Sequence, residues 1–218
     1  MEYLVEDIRE VIETFNSSCV LVGHDWGGAV AWNLAMEYPA LVDRLVVLSC
    51  PHPGVFVKYV STHPRQFLKS WFQFFFQLPF LPELVFKSYD YSGLYSALRG
   101  RHMGCKTPEA ITDEDYKAYK YFFSKPDPMA LTGPLNYLRA NIGTDPLMDF
   151  NEGTKVTVPC LLIWGELDAA LDVGMGEMSH QLAPNMTFRV VEGASHWVQQ
   201  DQPAVVNNYM REFLQQKY

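Results

Sequence analysis

The stretch Cys19-Val20-Leu21-Val22-Gly23-His24-Asp25-Trp26-Gly27-Gly28 decides how this chain is read. Its first half is a short apolar run of the kind that forms a buried parallel strand. Glycines follow, and from about Gly28 to Tyr38 the pattern is helical, stopping at Pro39. Asp25 therefore stands at the tip of a sharp strand-to-helix turn. Such a turn holds one side chain in a strained, exposed pose, and Gly23 and Gly27 are expected there because side chains at those places would clash. The N-terminus of the helix beyond it favours negative charge. A carboxylate is already ionised at neutral pH, so Asp25 needs no base to act as a nucleophile and form an ester with an electrophilic carbon. The plainer alternative is a glycine-rich turn in which Asp25 only caps the next helix.

Working outward, Met1 to Phe15 reads as an amphipathic helix, with Leu4, Ile8, Ile12 and Phe15 at helical spacing. Leu45 to Leu48 is a second buried strand, so the N-terminal part is a βαβ unit of a parallel sheet. From 55 to 149 the βα alternation disappears. That segment is rich in aromatics (Trp71, Phe72, Phe74, Phe75, Phe76, Phe80) and broken by Pro64, Pro79 and Pro82, with a helix expected over Asp113 to Phe123. The rhythm returns with a strand over Cys160 to Trp164, a helix near Val173 to Leu182, a strand over Thr187 to Val191 and a terminal helix from Gln202 to Gln215. The fold class is α/β. A core made of 1–54 and 150–218, interrupted at about Pro53 and resumed at about Thr157, carries a helical cap at 55–149.

Open parallel sheets collect their sites outside the carboxyl ends of the strands. Three chemistry-bearing residues fall there in order. Asp25 follows the first strand. Asp168, in Trp164-Gly165-Glu166-Leu167-Asp168, follows the third. His196, in Gly193-Ala194-Ser195-His196-Trp197, follows the fourth. Nucleophile, acid, histidine is the order of a hydrolytic triad on such a sheet. Asp172 and Glu166 are rivals for the acid. Asp172 lies deeper, in the expected helix, and the plain reading of Glu166 is a partner for the loop backbone. His24 neighbours Asp25 on a tight turn, where adjacent side chains point apart, so it is expected to pack or hydrogen-bond. His52, between two prolines, is expected to shape the join to the cap; His63, His102 and His180 show no metal spacing.

Composition narrows the classes further. The chain has 218 residues, 48% of them apolar, and a net charge of −8, which gives it no electrostatic reason to seek nucleic acid. Cys19, Cys50, Cys105 and Cys160 form no C-x-x-C pair and read as reduced thiols. No stretch reaches the roughly 18 uninterrupted apolar residues of a membrane span, and no signal peptide is expected.

Taken together, Gly23-His24-Asp25-Trp26-Gly27-Gly28, Pro51-His52-Pro53, Phe76-Gln77-Leu78-Pro79, Gly133-Pro134-Leu135-Asn136, the Trp164 to Asp168 run and Ala194-Ser195-His196-Trp197 resemble the epoxide hydrolases of the α/β-hydrolase superfamily, closest to the animal epoxide hydrolase 3 and 4 (abhydrolase) branch. The resemblance implies an α/β-hydrolase core under a helical cap and no cofactor. It implies that Asp25 attacks an oxirane carbon to form an alkyl-enzyme ester, and that His196, oriented by Asp168, activates the water that releases a diol. The Trp26 backbone N–H would form half of an oxyanion hole. The aromatic cap suits small apolar substrates such as lipid epoxides. Haloacid and haloalkane dehalogenases share the aspartate turn and are the alternative.

The chain departs from that pattern in three places. The family's His-Gly-x-Pro turn, which supplies the other half of the oxyanion hole, and the first four strands of its sheet have no counterpart here, so the core is expected to be a partial sheet; a non-catalytic binding module is the reading that follows if the site needs them. The two cap tyrosines that protonate the epoxide oxygen fall, by motif, at Phe72 and Leu138. Tyr137 is the nearest substitute, with Tyr119 and Tyr121 further off, but one step along a helix turns a side chain by about 100°. Halide departure needs N–H donors and no proton, and Trp26 and Trp71 are the candidates for that role; cap packing is the plainer role for Trp71. Branch members often begin with a membrane-anchor helix that this chain lacks. The resemblance leaves two locations as expectations, the cytoplasm or the endoplasmic reticulum membrane through such a segment.

Overall fold

The computed structural model describes residues 1–127, 129–142 and 154–217. Four parallel strands form one sheet in the order β1 (Cys19–His24), β2 (Val42–Leu48), β3 (Cys160–Gly165), β4 (Met186–Val191). The two inner strands are the most apolar and the most buried, as parallel strands covered on both faces must be.

The pleat sends alternate side chains to opposite faces. Leu45, Val47, Leu162 and Trp164 enter one core with α1 (Glu2–Glu13) and α2 (Trp26–Glu37), through Val5, Ile12, Ala31, Leu34 and Ala35. Val46, Leu48, Leu161 and Ile163 enter the other, closed by Val206 and Phe213 of α11 (Pro203–Gln215). Each such side chain contributes about 1.5–3 kcal/mol by leaving water. The helix α2 is apolar on almost every side because it is nearly engulfed, and its Trp32 indole donates to the Cys50 carbonyl.

Between β2 and β3 the described residues form no strand; helices α3 (Pro53–Thr62), α4 (Pro64–Lys69), α5 (Trp71–Phe75), α6 (Leu81–Arg99, kinked at Ser88 to Tyr91), α7 (Asp113–Phe123) and α8 (Met129–Asn141) are joined by turns. Proline at the first turn starts α3, α4 and α6, and a Thr112–Asp115 capping box starts α7. The run is not cut off from the sheet, for Val55 and Tyr59 of α3 sit in the first core. The expected end of the cap, at 149, lies outside the described residues. After β3 come α9 (Gly174–Ser179) and, after β4, the short α10 (Val198–Asp201). The expected helix near Val173 is thus shorter than its apolar pattern suggested, and Asp172 precedes it rather than lying within it. Among the described residues no helix is long and apolar enough to cross a membrane.

Candidate active site

Asp25 closes the turn after β1 with φ +50° and ψ −121°, a region that non-glycine residues rarely occupy. Its side chain makes no capping hydrogen bond to the helix it precedes, so the strain does not serve a helix cap. The tight glycines are not quite those expected. A Cβ on Gly23 would meet the Gly27 carbonyl oxygen at 2.3 Å, and one on Gly28 would meet the Cys50 Cβ at 2.8 Å, whereas Gly27 has open space around it. The turn is closed by Gly23 against the helix backbone, and Gly28 lets α2 lie on the end of β2.

Two loops bring the partners. Asp168, after β3, is buried; its Oδ1 accepts from the Ala170 and Leu171 N–H groups at 2.8 and 2.9 Å. Its Oδ2 takes His196 Nδ1 at 2.8 Å. That bond leaves the other ring nitrogen for chemistry, and His196 Nε2 lies 3.2 Å from Asp25 Oδ1. The acid and base loops are in close contact: a Cβ on Gly165 would stand 1.9 Å from the Ser195 carbonyl oxygen, which only glycine permits.

The electrostatics follow from this geometry. Burial alone would lower the His196 pKa, but the Asp168 and Asp25 carboxylates overcome it and hold it well above the usual histidine range. Burial likewise pushes Asp25 upward, and it is still held below its ordinary value by the hydrogen bond and charge of His196, then by His24 and the Trp26 N–H. His24 Nε2 lies 3.0 Å from the His196 carbonyl oxygen, beside the base loop. Desolvation, and then the neighbouring His196, lower its pKa.

Asp25 forms the floor of a cavity of about 250 Å³ whose walls include Trp26, Cys50, Phe56, Phe72, Gln73, Phe76, Leu138 and Leu171. The walls are apolar apart from a few groups, the pattern of a small-molecule site. Among the described residues that line it there is no phenol. Phe72 and Leu138 face it, but two expected residues do not. Tyr137 is 42% exposed and borders a groove with Leu4 and Ile8 of α1, because it sits one position around α8 from Leu138. Trp71 is 63% exposed on the outer side of α5, while its neighbours Phe72 and Gln73 point inward. Tyr119 and Tyr121 are exposed on α7. Glu166 accepts from the Gly193 N–H at 2.9 Å, as its plain reading had it, and Asp172 accepts from the Tyr59 hydroxyl at 3.1 Å. Three polar residues that tie the insert to the site were not picked out from sequence: Gln73, which lines the cavity; Gln66, buried and bonded to Ala170 O and Asp172 N at 2.9 Å each; and Asp201. The only sequence signal for Gln66 and Gln73 was a polar residue at a helical position inside an aromatic run. His52, buried, caps α3 through Nδ1, and among the described residues no cluster of histidine, cysteine or acidic side chains could hold a metal.

Comparison with known proteins agrees with the layout of sheet, turn and loops. The profile of the alpha/beta hydrolase fold matches residues 1–203. The chain belongs to the α/β-hydrolase family. It is 40% identical over 225 residues to human "Epoxide hydrolase 4", covering all of this chain and 59% of that protein. It is 34% identical over 219 residues to the "AB hydrolase superfamily protein YfhM" of Bacillus subtilis, covering 72% of it. Among solved structures, the Bacillus megaterium epoxide hydrolase with an inhibitor superposes with a TM-score of 0.83 at 29% identity, over 97% of this chain and 75% of that one. This α/β-hydrolase chain thus spans about 59% of the length of human "Epoxide hydrolase 4" and of Xenopus tropicalis "Epoxide hydrolase 3".

Proposed function

We propose that the chain opens epoxides to diols through an ester on Asp25. The observation that carries this reading is the line Asp168–His196–Asp25, with separations of 2.8 and 3.2 Å, at the floor of an apolar cavity. An Asp25 oxygen attacks one oxirane carbon; the C–O bond of the ring breaks and its electron pair stays on oxygen, which takes a proton from a water to become a hydroxyl and leaves a hydroxide. Esterification removes the Asp25 charge, and with it one of the two carboxylates that keep His196 protonated. His196 then loses its proton more readily, to that hydroxide, and its neutral Nε2 takes one from a second water that attacks the ester carbonyl. The acyl C–O bond breaks as His196 returns that proton to the departing diol oxygen, and the Asp25 carboxyl gives its own proton to His196 and is a carboxylate again. Asp168 orients the imidazole and balances its charge. The relatives' names support the substrate class, and the apolar walls support apolar epoxides.

One observation favours a second reading. Among the described residues no phenol faces the cavity, and Trp26 and Gln73 on its wall carry neutral N–H donors. Such donors suit a halide, which departs without a proton, so displacement of halide from a haloalkane or haloacid by the same Asp25 attack is the alternative. Turnover of styrene oxide to its diol, compared with chloride release from chloroacetate, tests both. Diol without chloride supports the first reading, and chloride without diol replaces it with the second. Neither product from folded protein sinks both.

A further inference from the structure

Asp201 is buried, and the mechanism above gives it no step. Its Oδ2 accepts from the backbone N–H of Ser195 at 2.7 Å and from the Ser195 hydroxyl at 2.6 Å, so it holds the residue just before His196. Its Oδ1 accepts from the N–H groups of Lys106 and Thr107 at 2.6 and 2.9 Å. Those two residues belong to the connection between α6 and α7, in the helical run that contributes walls to the cavity. The Thr107 hydroxyl also donates to the Asp201 carbonyl at 2.9 Å. Four donors on two oxygens fill the accepting capacity of a carboxylate. The residue after His196 is tied the same way, for the Trp197 N–H donates to Ser195 Oγ at 3.1 Å and its indole to the Ala97 carbonyl of α6 at 2.9 Å. Trp197 also packs against Leu94, Leu98 and Ile111. Both neighbours of His196 are thus bonded to the insert, one through Asp201 and one through the Trp197 ring.

We propose that Asp201 is a positioning residue that fixes the His196 loop to the helical insert and so sets where Nε2 stands over Asp25. The inference rests on the ester mechanism proposed above. Asp168 fixes the rotation of the imidazole through Nδ1, but the height of the ring over Asp25 follows the loop backbone, and Asp201 is the charge that grips that backbone. Displacement of a catalytic group by about 1 Å costs on the order of a hundredfold in rate. Because His196 acts only after the ester has formed, loss of Asp201 slows the second step and spares the first.

The test is Asp201→Asn, assayed with styrene oxide. The amide keeps the shape but can satisfy only one pair of donors, and it turns its own N–H groups toward the other pair. Esterification proceeds at nearly the wild-type rate and hydrolysis falls by about tenfold or more. kcat and KM then drop together, kcat/KM stays within about threefold, and intact-mass spectra during turnover show an adduct on the Gly23–Gly28 peptide. A variant that is merely loosened loses kcat/KM and accumulates no adduct. That result, or wild-type kinetics, overturns the proposal. If Asp201→Asn does not fold, Ser195→Ala removes the hydroxyl bond to Asp201 together with the acceptor of the Trp197 N–H, loosens the same end of the loop and is read in the same way. The His196→Gln protein keeps the two ideas apart: an adduct there with none in Asp201→Asn sinks the role of Asp201 alone, whereas no adduct in either sinks the ester mechanism and this inference with it.

Discussion

His196 Nε2 stands 3.2 Å from Asp25 Oδ1 while His196 Nδ1 stands 2.8 Å from Asp168 Oδ2, so one imidazole bridges two carboxylates from different loops. A base held in that way is needed to break an ester on Asp25 but not to make it. His196→Gln is therefore expected to form the adduct and keep it. After incubation with styrene oxide, intact-mass spectrometry should show one substrate mass added, mapping to the Gly23–Gly28 peptide, and Asp25→Asn should show none. Folded His196→Gln protein that stays at its native mass would count against the mechanism.

The raised pKa of His196 sets a pH dependence. The base must be neutral to take a proton from water, and its neutral fraction grows as pH rises through that pKa. Ester hydrolysis should accordingly speed up with pH, with a midpoint below the pKa that His196 has in the free enzyme, because the ester has lost the Asp25 charge and only Asp168 still holds the proton on the ring. Asp25 is held below its ordinary carboxylate value, so esterification should be flat above about pH 5. Single-turnover experiments between pH 5 and 9 should thus find the adduct accumulating at the acid end and vanishing at the alkaline end. Asp168→Asn removes the larger of the two carboxylate influences and should shift the midpoint down while slowing hydrolysis by about 10³-fold. A rate of ester breakdown that does not change with pH would rule His196 out as the base.

The strands and the three loops were legible in the sequence because their causes are local. An apolar run of the right length ending in glycine is enough to place Asp25 after β1, and the same holds for Asp168 after β3 and His196 after β4. The helix over Asp113 to Phe123 was legible too, since Thr112 and Asp115 cap it from within. What local pattern does not carry is orientation. Tyr137 and Leu138 differ by one residue, and only the packing of α8 decides that Leu138 faces the cavity. Trp71 and Phe72 differ in the same way. Gln66 and Asp201 were invisible for another reason, because the partners that make them hubs between insert and core, Ala170 and Asp172 for Gln66 and Lys106 and Thr107 for Asp201, lie far away in sequence. The length of α9 was not legible either, for it ends at Ser179 although the apolar pattern runs on to Leu182; Gly176 within it fixes how closely it lies on Phe188 and Trp164.

The insert is pinned by a partly buried pair whose pH behaviour is separate from the site. Arg139 of α8 donates to both oxygens of Glu83 at 2.6 and 2.9 Å and to the Phe76 and Leu78 carbonyls at 2.9 Å each. The Arg139 hydrogen bond holds the Glu83 carboxyl down at about 2, against an ordinary value of 4.5. A carboxyl whose pKa is depressed by folding stabilises the fold above its unfolded value, and that stabilisation fades as pH falls toward the folded one. Solvent screening of this partly exposed pair leaves a contribution on the order of 1 kcal/mol. Thermal unfolding of the wild type should lose stability between pH 5 and pH 2.5, and Glu83→Gln should start lower at pH 7 and lose less over the same range. Parallel curves for the two proteins would show that the pair contributes nothing.

The most direct test of what the cavity lacks is to supply it. Phe72 and Leu138 both face the space above Asp25, and neither can give a proton to an opening oxirane. Phe72→Tyr adds one hydroxyl to a ring already in place; Leu138→Tyr enlarges a side chain on α8 that borders the same cavity and is expected to cost about 1–3 kcal/mol in packing. A positioned acid contributes about 10²–10⁴-fold to a step that ends in an alkoxide. A halide leaves without one. The double variant should therefore raise the rate of ester formation from styrene oxide by at least about tenfold while leaving chloride release from chloroacetate unchanged or slower. If both rates rise together, the gain comes from substrate binding rather than from protonation. If neither rises although the variant folds, the oxirane oxygen already finds a donor, and Gln73 and the Trp26 indole are the groups to replace next.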